Sequence, residues 1–211
     1  MTTFQGVSAG AFEFYSELQD NNNRQWWLDN RERHKELVRE PLEALLAELE
    51  PRFGPGRIFR PYRDMRFSQG LAPLKTAQGA FASAQEGVGY YLQINADGLQ
   101  VGGGYRSYSP AQLGRYRNSV DASGTGEALR LVVDAIAGAG FAVDGEVLKT
   151  VPRGYARDHP RAVLLRHRTL SAGVELGRPG WLATSDGVHQ VTELWEHLRP
   201  LVDWVGRHAS P

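Results

Sequence analysis

The stretch Val88-Gly89-Tyr90-Tyr91-Leu92-Gln93-Ile94-Asn95-Ala96-Asp97-Gly98-Leu99-Gln100-Val101-Gly102-Gly103-Gly104-Tyr105 decides the fold. Residues 88–95 and 99–105 read as two strands, and the link Asn95-Ala96-Asp97-Gly98 is a turn sequence with a glycine near its end. A hairpin is therefore expected, and with it an antiparallel sheet. Towards the C-terminus, Ser109 followed by Pro110 starts a helix to about residue 120, by the cap-then-proline rule. Ser123 or Thr125 caps another helix over 128–137, which Gly138 and Gly140 end. Short strands are expected near 141–143, 163–168 and 170–176. Ser185 or Asp186 caps a last helix whose apolar positions are Val188, Val191, Leu194, Trp195, Leu198, Val202 and Val205, with Pro200 bending it.

On the N-terminal side, Ser8 caps a first helix to about residue 19, and Asn23 caps a helical run over 24–50. Its apolar stripe is His34, Leu37, Val38, Leu42, Leu45, Leu46 and Leu49. Pro41 lies inside this run, so the helix either kinks there or restarts with Pro41 in its first turn. In the pair Trp26-Trp27, one ring goes to the core and one to a rim. Residues 57–68 alternate and read as one or two strands. Helices, strands, helices, strands and helix in that order give an α+β fold, with a central, mainly antiparallel sheet and helices packed on one face or flank. No linker or repeat divides residues 1–211, so a single domain is expected.

Composition narrows the chemistry. The chain has 211 residues, no cysteine, and 24 basic against 24 acidic side chains. Disulfides, thiolate metal sites and cysteine nucleophiles are excluded. The first residues lack the basic end and apolar run of a signal peptide, and no stretch is long enough to cross a membrane, so a soluble cytoplasmic protein is expected. The neutral sum conceals blocks: residues 57–118 carry eight basic and three acidic side chains, and 149–170 carry six and one. Arginine supplies 21 of the cations. A GC-rich coding bias would produce that excess, but arginine also binds planar carboxylates and phosphates in a bidentate way.

Four stretches carry candidate chemistry. In Arg60-Pro61-Tyr62-Arg63-Asp64-Met65-Arg66-Phe67-Ser68 a strand would place Arg60, Tyr62, Asp64, Arg66 and Ser68 on one face. An aspartate among arginines stays ionised and fixes their guanidinium forks, either as an anion site or as a structural ion-pair lattice. Lys75 follows on a loop. Gly102, Gly103 and Gly104 before Tyr105 allow a close backbone approach, a bulge or a nest of amides facing an anion, with Arg117 on the next helix. They fit neither a dinucleotide fingerprint nor a Walker loop. Finally, Lys149, Arg153, Asp158 and His159 share one loop stiffened by proline and glycine. His159 is the best candidate for general acid–base work, alongside Asp64, because its ordinary pKa of about 6.5 lies near working pH. Asp158-His159-Pro160 is equally suited to starting a helix. The six histidines make no metal-binding pair at helical spacing, and no nucleophile elbow is present.

Taken together, these stretches resemble the bacterial and fungal family called domain of unknown function 2461. The resemblance runs through Phe14 to Leu18, Asn21-Asn22, Arg24 to Trp27, Arg63 to Ser68, Pro73 to Thr76, Gly102 to Tyr105, Arg117, and Leu148-Lys149 to Pro160. It implies no established activity, substrate or cofactor. The usual family run after the arginine strand looks like R-F-S-x-D-K-x-P-Y-K; here Gly70, Leu71 and Leu74 replace the aspartate, lysine and tyrosine. Arg66, Ser68 and Lys75 remain.

The sequence reading that follows is a binding protein or enzyme for a small anion, phosphate or carboxylate. Arg63, Arg66, Lys75, Arg117, Lys149 and Arg153 supply positive charge, Ser68, Gly103, Gly104 and Tyr105 line the site, and Asp64 and His159 orient groups or move a proton. The alternatives are a nucleic-acid module stacking bases on Tyr62, Phe67, Tyr105 and Tyr108, which the neutral charge disfavours, or a scaffold braced by arginine pairs.

Overall fold

The computed structural model describes residues 3–63, 72–105 and 108–209. Helix α1 (Gly10–Asp20) buries Phe14, Tyr15 and Leu18. Its start differs from expectation. Ala9 already has helical dihedrals, so Ser8 contributes its carbonyl to the first turn and its hydroxyl does not cap. Helix α2 (Arg24–His34) is capped as expected, the Trp26 N–H donating to Asn23 Oδ1 at 3.0 Å. Between α2 and α3 (Glu40–Phe53) the chain widens into one π-helical turn, Lys35–Arg39, and Pro41 falls in the first turn of α3. The proline therefore restarts the helix, where its missing N–H costs least. Trp27 is buried and Trp26 half-buried, the division expected of the pair.

Six strands form one antiparallel sheet in the order β1-β2-β3-β4-β6-β5: β1 (Gly56–Ile58), β2 (Ala77–Gln85), β3 (Val88–Asn95), β4 (Leu99–Tyr105), β5 (Ala142–Asp144) and β6 (Leu170–Glu175). The deciding hairpin forms as read. Asn95 Oδ1 accepts the N–H groups of Asp97 and Gly98, and the Asn95 N–H donates to the Gly98 carbonyl. Gly98 has φ +142° and packs so closely that a Cβ would stand 1.8 Å from the Gly177 carbonyl oxygen. Strand β2 was not anticipated, because its Ala-Gln-Gly-Ala sequence has little intrinsic β preference. Of the one or two strands expected over 57–68, the described residues form β1 and an isolated bridge. After β1, Pro61 offers only its carbonyl, which accepts the Lys75 N–H, and Tyr62 faces Leu74 in an isolated bridge. Residues 64–68 lie outside the described residues.

Helix α4 (Pro110–Asp121) opens with a capping box between Ser109 and Gln112. Helix α5 (Ser123–Gly138) begins after Ala122, earlier than expected; neither expected cap acts, and the Thr125 hydroxyl instead donates to the Ser119 carbonyl. The strand expected near 163–168 is a single helical turn, α6 (Ala162–Leu165). Leu164 and Leu165 are both buried while Val163 is exposed, an order that a strand's two-residue alternation cannot satisfy. Helix α7 (Gly187–His208) runs through Pro200.

The chain divides into two compact units. The first comprises Met1–Ala82, Tyr91–Val101 and Glu175–Glu193. Its core joins α1 to α3 through Phe14, Tyr15, Leu18, Leu42, Leu45 and Leu49. The second comprises Ser83–Tyr90, Gly102–Val174 and Leu194–Pro211. There Trp195 stacks on Tyr90 with ring centroids 5.2 Å apart, and Leu198 and Val202 lie against Gly103. Among the described residues, no helix is long and apolar enough to cross a membrane.

Candidate functional site

In the first unit, Arg63 and Lys75 stand on two short segments that pair with each other. The Arg63 N–H donates to the Pro73 carbonyl and the Lys75 N–H to the Pro61 carbonyl. Asn22 fixes this ribbon by exchanging two bonds with the backbone of Leu74, at 3.0 and 3.1 Å. Both cations turn onto their own ribbon. Arg63 Nε donates to the Leu74 carbonyl at 3.3 Å, and Lys75 Nζ donates to the Arg60 carbonyl at 3.1 Å while lying 5.9 Å from the Phe59 ring centroid. Asp64, Arg66 and Ser68, with Gly70 and Leu71, lie outside the described residues. Behind the ribbon, Tyr62 packs edge-on to Trp27, and Trp27 lies 4.9 Å from the His34 ring. His34 is buried, its Nε2 3.3 Å from the Tyr15 hydroxyl. Burial pulls its pKa down to about 4, with a hydrogen bond to Gln78 acting against it. His34 is thus a neutral core residue.

In the second unit, packing accounts for the glycines. A Cβ on Gly103 would press on Val202 and Leu198 of α7, and one on Gly104, at φ +135°, would stand 2.4 Å from the Leu170 carbonyl oxygen. Both are buried, so they serve strand and helix approach and present no amide nest to solvent. Tyr105 is buried as well, its ring stacked on Tyr108 at 4.1 Å, and Tyr108 in turn stacks on Tyr116. Rings clasped in this way are not free to take bases. The Tyr116 hydroxyl donates to the Leu164 carbonyl, whereas the buried Tyr108 hydroxyl has no partner among the described residues.

Residues 149–161 strap the C-terminal end of α4. Arg161 donates to the carbonyls of Val120 and Asp121, capping that helix from outside. Tyr155 reaches Asn118 Oδ1 at 3.4 Å. His159 Nδ1 accepts the Arg161 N–H at 3.0 Å, and its Nε2 lies 3.2 Å from Asp121 Oδ1. Both ring nitrogens therefore face a partner in this arrangement. Its side chain is 13% exposed, against 53% for Asp121. Lys149 and Arg153 are exposed on the same loop.

Arg117 differs from its neighbours. Arg130 pairs with Glu127 and Asp134, Arg168 with Glu146 and Arg199 with Glu196, while Arg161 and Arg166 are held by carbonyls. Arg117 Nε is buried with no hydrogen-bond partner among the described residues. Asp121, one turn further along α4, does not pair with it. The Tyr155 hydroxyl is influenced by both: its pKa is raised chiefly by burial, then by Asp121, with Arg117 pulling the other way. Asp121 and Asn118 were not singled out from the sequence, although the four-residue spacing of Arg117 and Asp121 on a marked helix was a usable signal. No group of three metal-ligating side chains gathers among the described residues.

A family model described as "Conserved hypothetical protein (DUF2461)" matches residues 10–204, from the first residue of α1 into α7. The chain belongs to the DUF2461 family. No curated protein and no solved structure matches it. Where the usual DUF2461 run carries a tyrosine, this member has Leu74, buried and held by Asn22 through its backbone, so a hydrocarbon fills that place. The DUF2461 motifs fall in both units: the ribbon of Arg63 and Lys75 in the first, and Tyr105, Arg117, Lys149, Arg153 and His159 in the second.

Proposed function

We propose that this protein binds a small anion, a carboxylate or phosphate, on the face of α4 that carries Arg117, with Lys149 and Arg153 of the strapping loop adding positive charge. The observation behind this reading is the unpaired, buried Nε of Arg117 in a unit whose other bonded arginines meet carboxylates or carbonyls. A buried donor without an acceptor costs about 1–3 kcal/mol, and an anion at the guanidinium relieves that cost once the atoms over Nε give way to it.

Thermal denaturation with inorganic phosphate and with propionate tests the reading. At ten times the Kd, one of them raises Tm by about 3–5 °C. Arg117→Gln abolishes that rise. The reading fails if neither ligand raises Tm, if chloride at matched ionic strength does as much, or if Arg117→Gln responds like the original protein.

A further inference from the structure

Arg117 and Asp121 lie one turn apart on α4, a spacing at which opposite charges on a helix surface normally meet. They do not meet here. Asp121 Oδ1 lies 3.2 Å from His159 Nε2, and its carboxylate accepts no side-chain hydrogen bond among the described residues. Arg161, the nearest other cation in the hydrogen-bond pattern, is committed to the carbonyls of Val120 and Asp121 and leaves the carboxylate alone. One helical turn therefore presents a guanidinium with an unused buried donor and a half-exposed carboxylate with an unused acceptor. The Tyr155 hydroxyl is placed beside this turn by its bond to Asn118, and it feels both charges.

We propose that this turn takes a small carboxylic acid bearing an amine or hydroxyl next to its carboxylate, an α-amino or α-hydroxy acid. The proposal rests on the reading that Arg117 binds an anion, and it names the ligand class. The ligand carboxylate lies against the Arg117 guanidinium. Its amine or hydroxyl donates to Asp121, which His159 holds in place. Side chains four apart on a helix have Cβ atoms about 5–6 Å from each other, a span that the short carboxylate-to-amine distance of such an acid bridges. A phosphate dianion on Arg117 instead brings like charge close to Asp121 and offers it no donor, so the same geometry selects against phosphate. His159 is a positioning residue in this scheme.

Calorimetric titration of the full chain with propionate, lactate and alanine tests the class, because the three share a carbon skeleton and differ only at the α position. Lactate and alanine are expected to bind at least tenfold more tightly than propionate. Asp121→Asn, which keeps an oxygen beside His159 and loses the negative charge, is expected to erase the difference between lactate or alanine and propionate. Arg117→Gln is expected to remove binding of all three. The inference is overturned if propionate binds as tightly as the other two, or if Asp121→Asn weakens all three alike. Should that variant not fold, the ranking in the original protein decides. Binding of propionate or phosphate through Arg117 without any gain from the α substituent sinks this inference alone, whereas no binding by any of these probes sinks the anion reading with it.

Discussion

His34 in the first unit and Arg117 in the second are both polar side chains set among aromatic rings, and they are held in opposite ways. His34 lies against Phe14, Tyr15 and Trp27, its Nε2 is matched by the Tyr15 hydroxyl, and burial keeps it uncharged. Arg117 follows Tyr116 of the Tyr105–Tyr108–Tyr116 stack and has a buried donor without a partner among the described residues. A satisfied buried polar group fixes a core in one arrangement, while an unsatisfied one calls for an explanation, which for Arg117 is the proposed anion. The contrast sets a polar group completed within the core against one left incomplete.

The strongest way to break the contrast is at Trp27. Its ring is the hub of the first region, touching Phe14, His34 and Tyr62. Trp27→Ala is expected to cost about 3–5 kcal/mol, read as a lower urea midpoint at unchanged slope. A loss below 1 kcal/mol removes the claim that this cluster is core.

The next effect is on pH. The folded His34 pKa is about 4, against roughly 6.5 in the unfolded chain. Between these values the unfolded state holds more protons, so stability is complete above pH 6.5, falls as pH drops through the window, and levels off below 4. The loss amounts to about 3 kcal/mol. Urea denaturation between pH 7 and 4, with an NMR titration of the His34 ring, checks both sign and window. A His34 midpoint near 6.5 contradicts a buried, neutral imidazole.

The smallest expected change sharpens the other side. Arg117→Met removes a buried donor that has no partner among the described residues, so stability without ligand is expected to rise, by about 1 kcal/mol. A loss of 2 kcal/mol or more in the same denaturation experiment makes Arg117 a structural residue and aligns it with His34.

Much of the framework was legible in local sequence because local bonds make it. Asn23 and Ser109 cap their helices through side-chain bonds spanning three residues, and Asn95 with Gly98 closes the hairpin within four. Where partners came from afar, reading failed. Strand β2 forms from alanine, glycine and glutamine because β1 and β3 receive it, with Gln78 donating to the Phe59 carbonyl. Residues 162–165 wind into a helical turn that the Tyr116 hydroxyl holds from 48 positions away. The triple glycine left a close backbone approach, a bulge or an anion nest open, and only α7 and β6, neither of them near Gly103 and Gly104 in sequence, decide for the close approach.

The same division applies to the candidate site. Sequence alone determined that the chain has α+β architecture, that it lacks thiol chemistry, and that its cations cluster in two arginine-rich blocks. Which of those cations are engaged was decided only by tertiary structure. Arg63 and Lys75 turn onto backbone carbonyls, Arg161 and Arg166 brace loops, His159 is tied at both nitrogens, and Arg117 keeps a donor unmatched. The reason is physical: a residue's type fixes how many hydrogen bonds it can make, but the acceptors that meet them arrive from distant segments, and only the folded chain brings those segments within 3 Å or so.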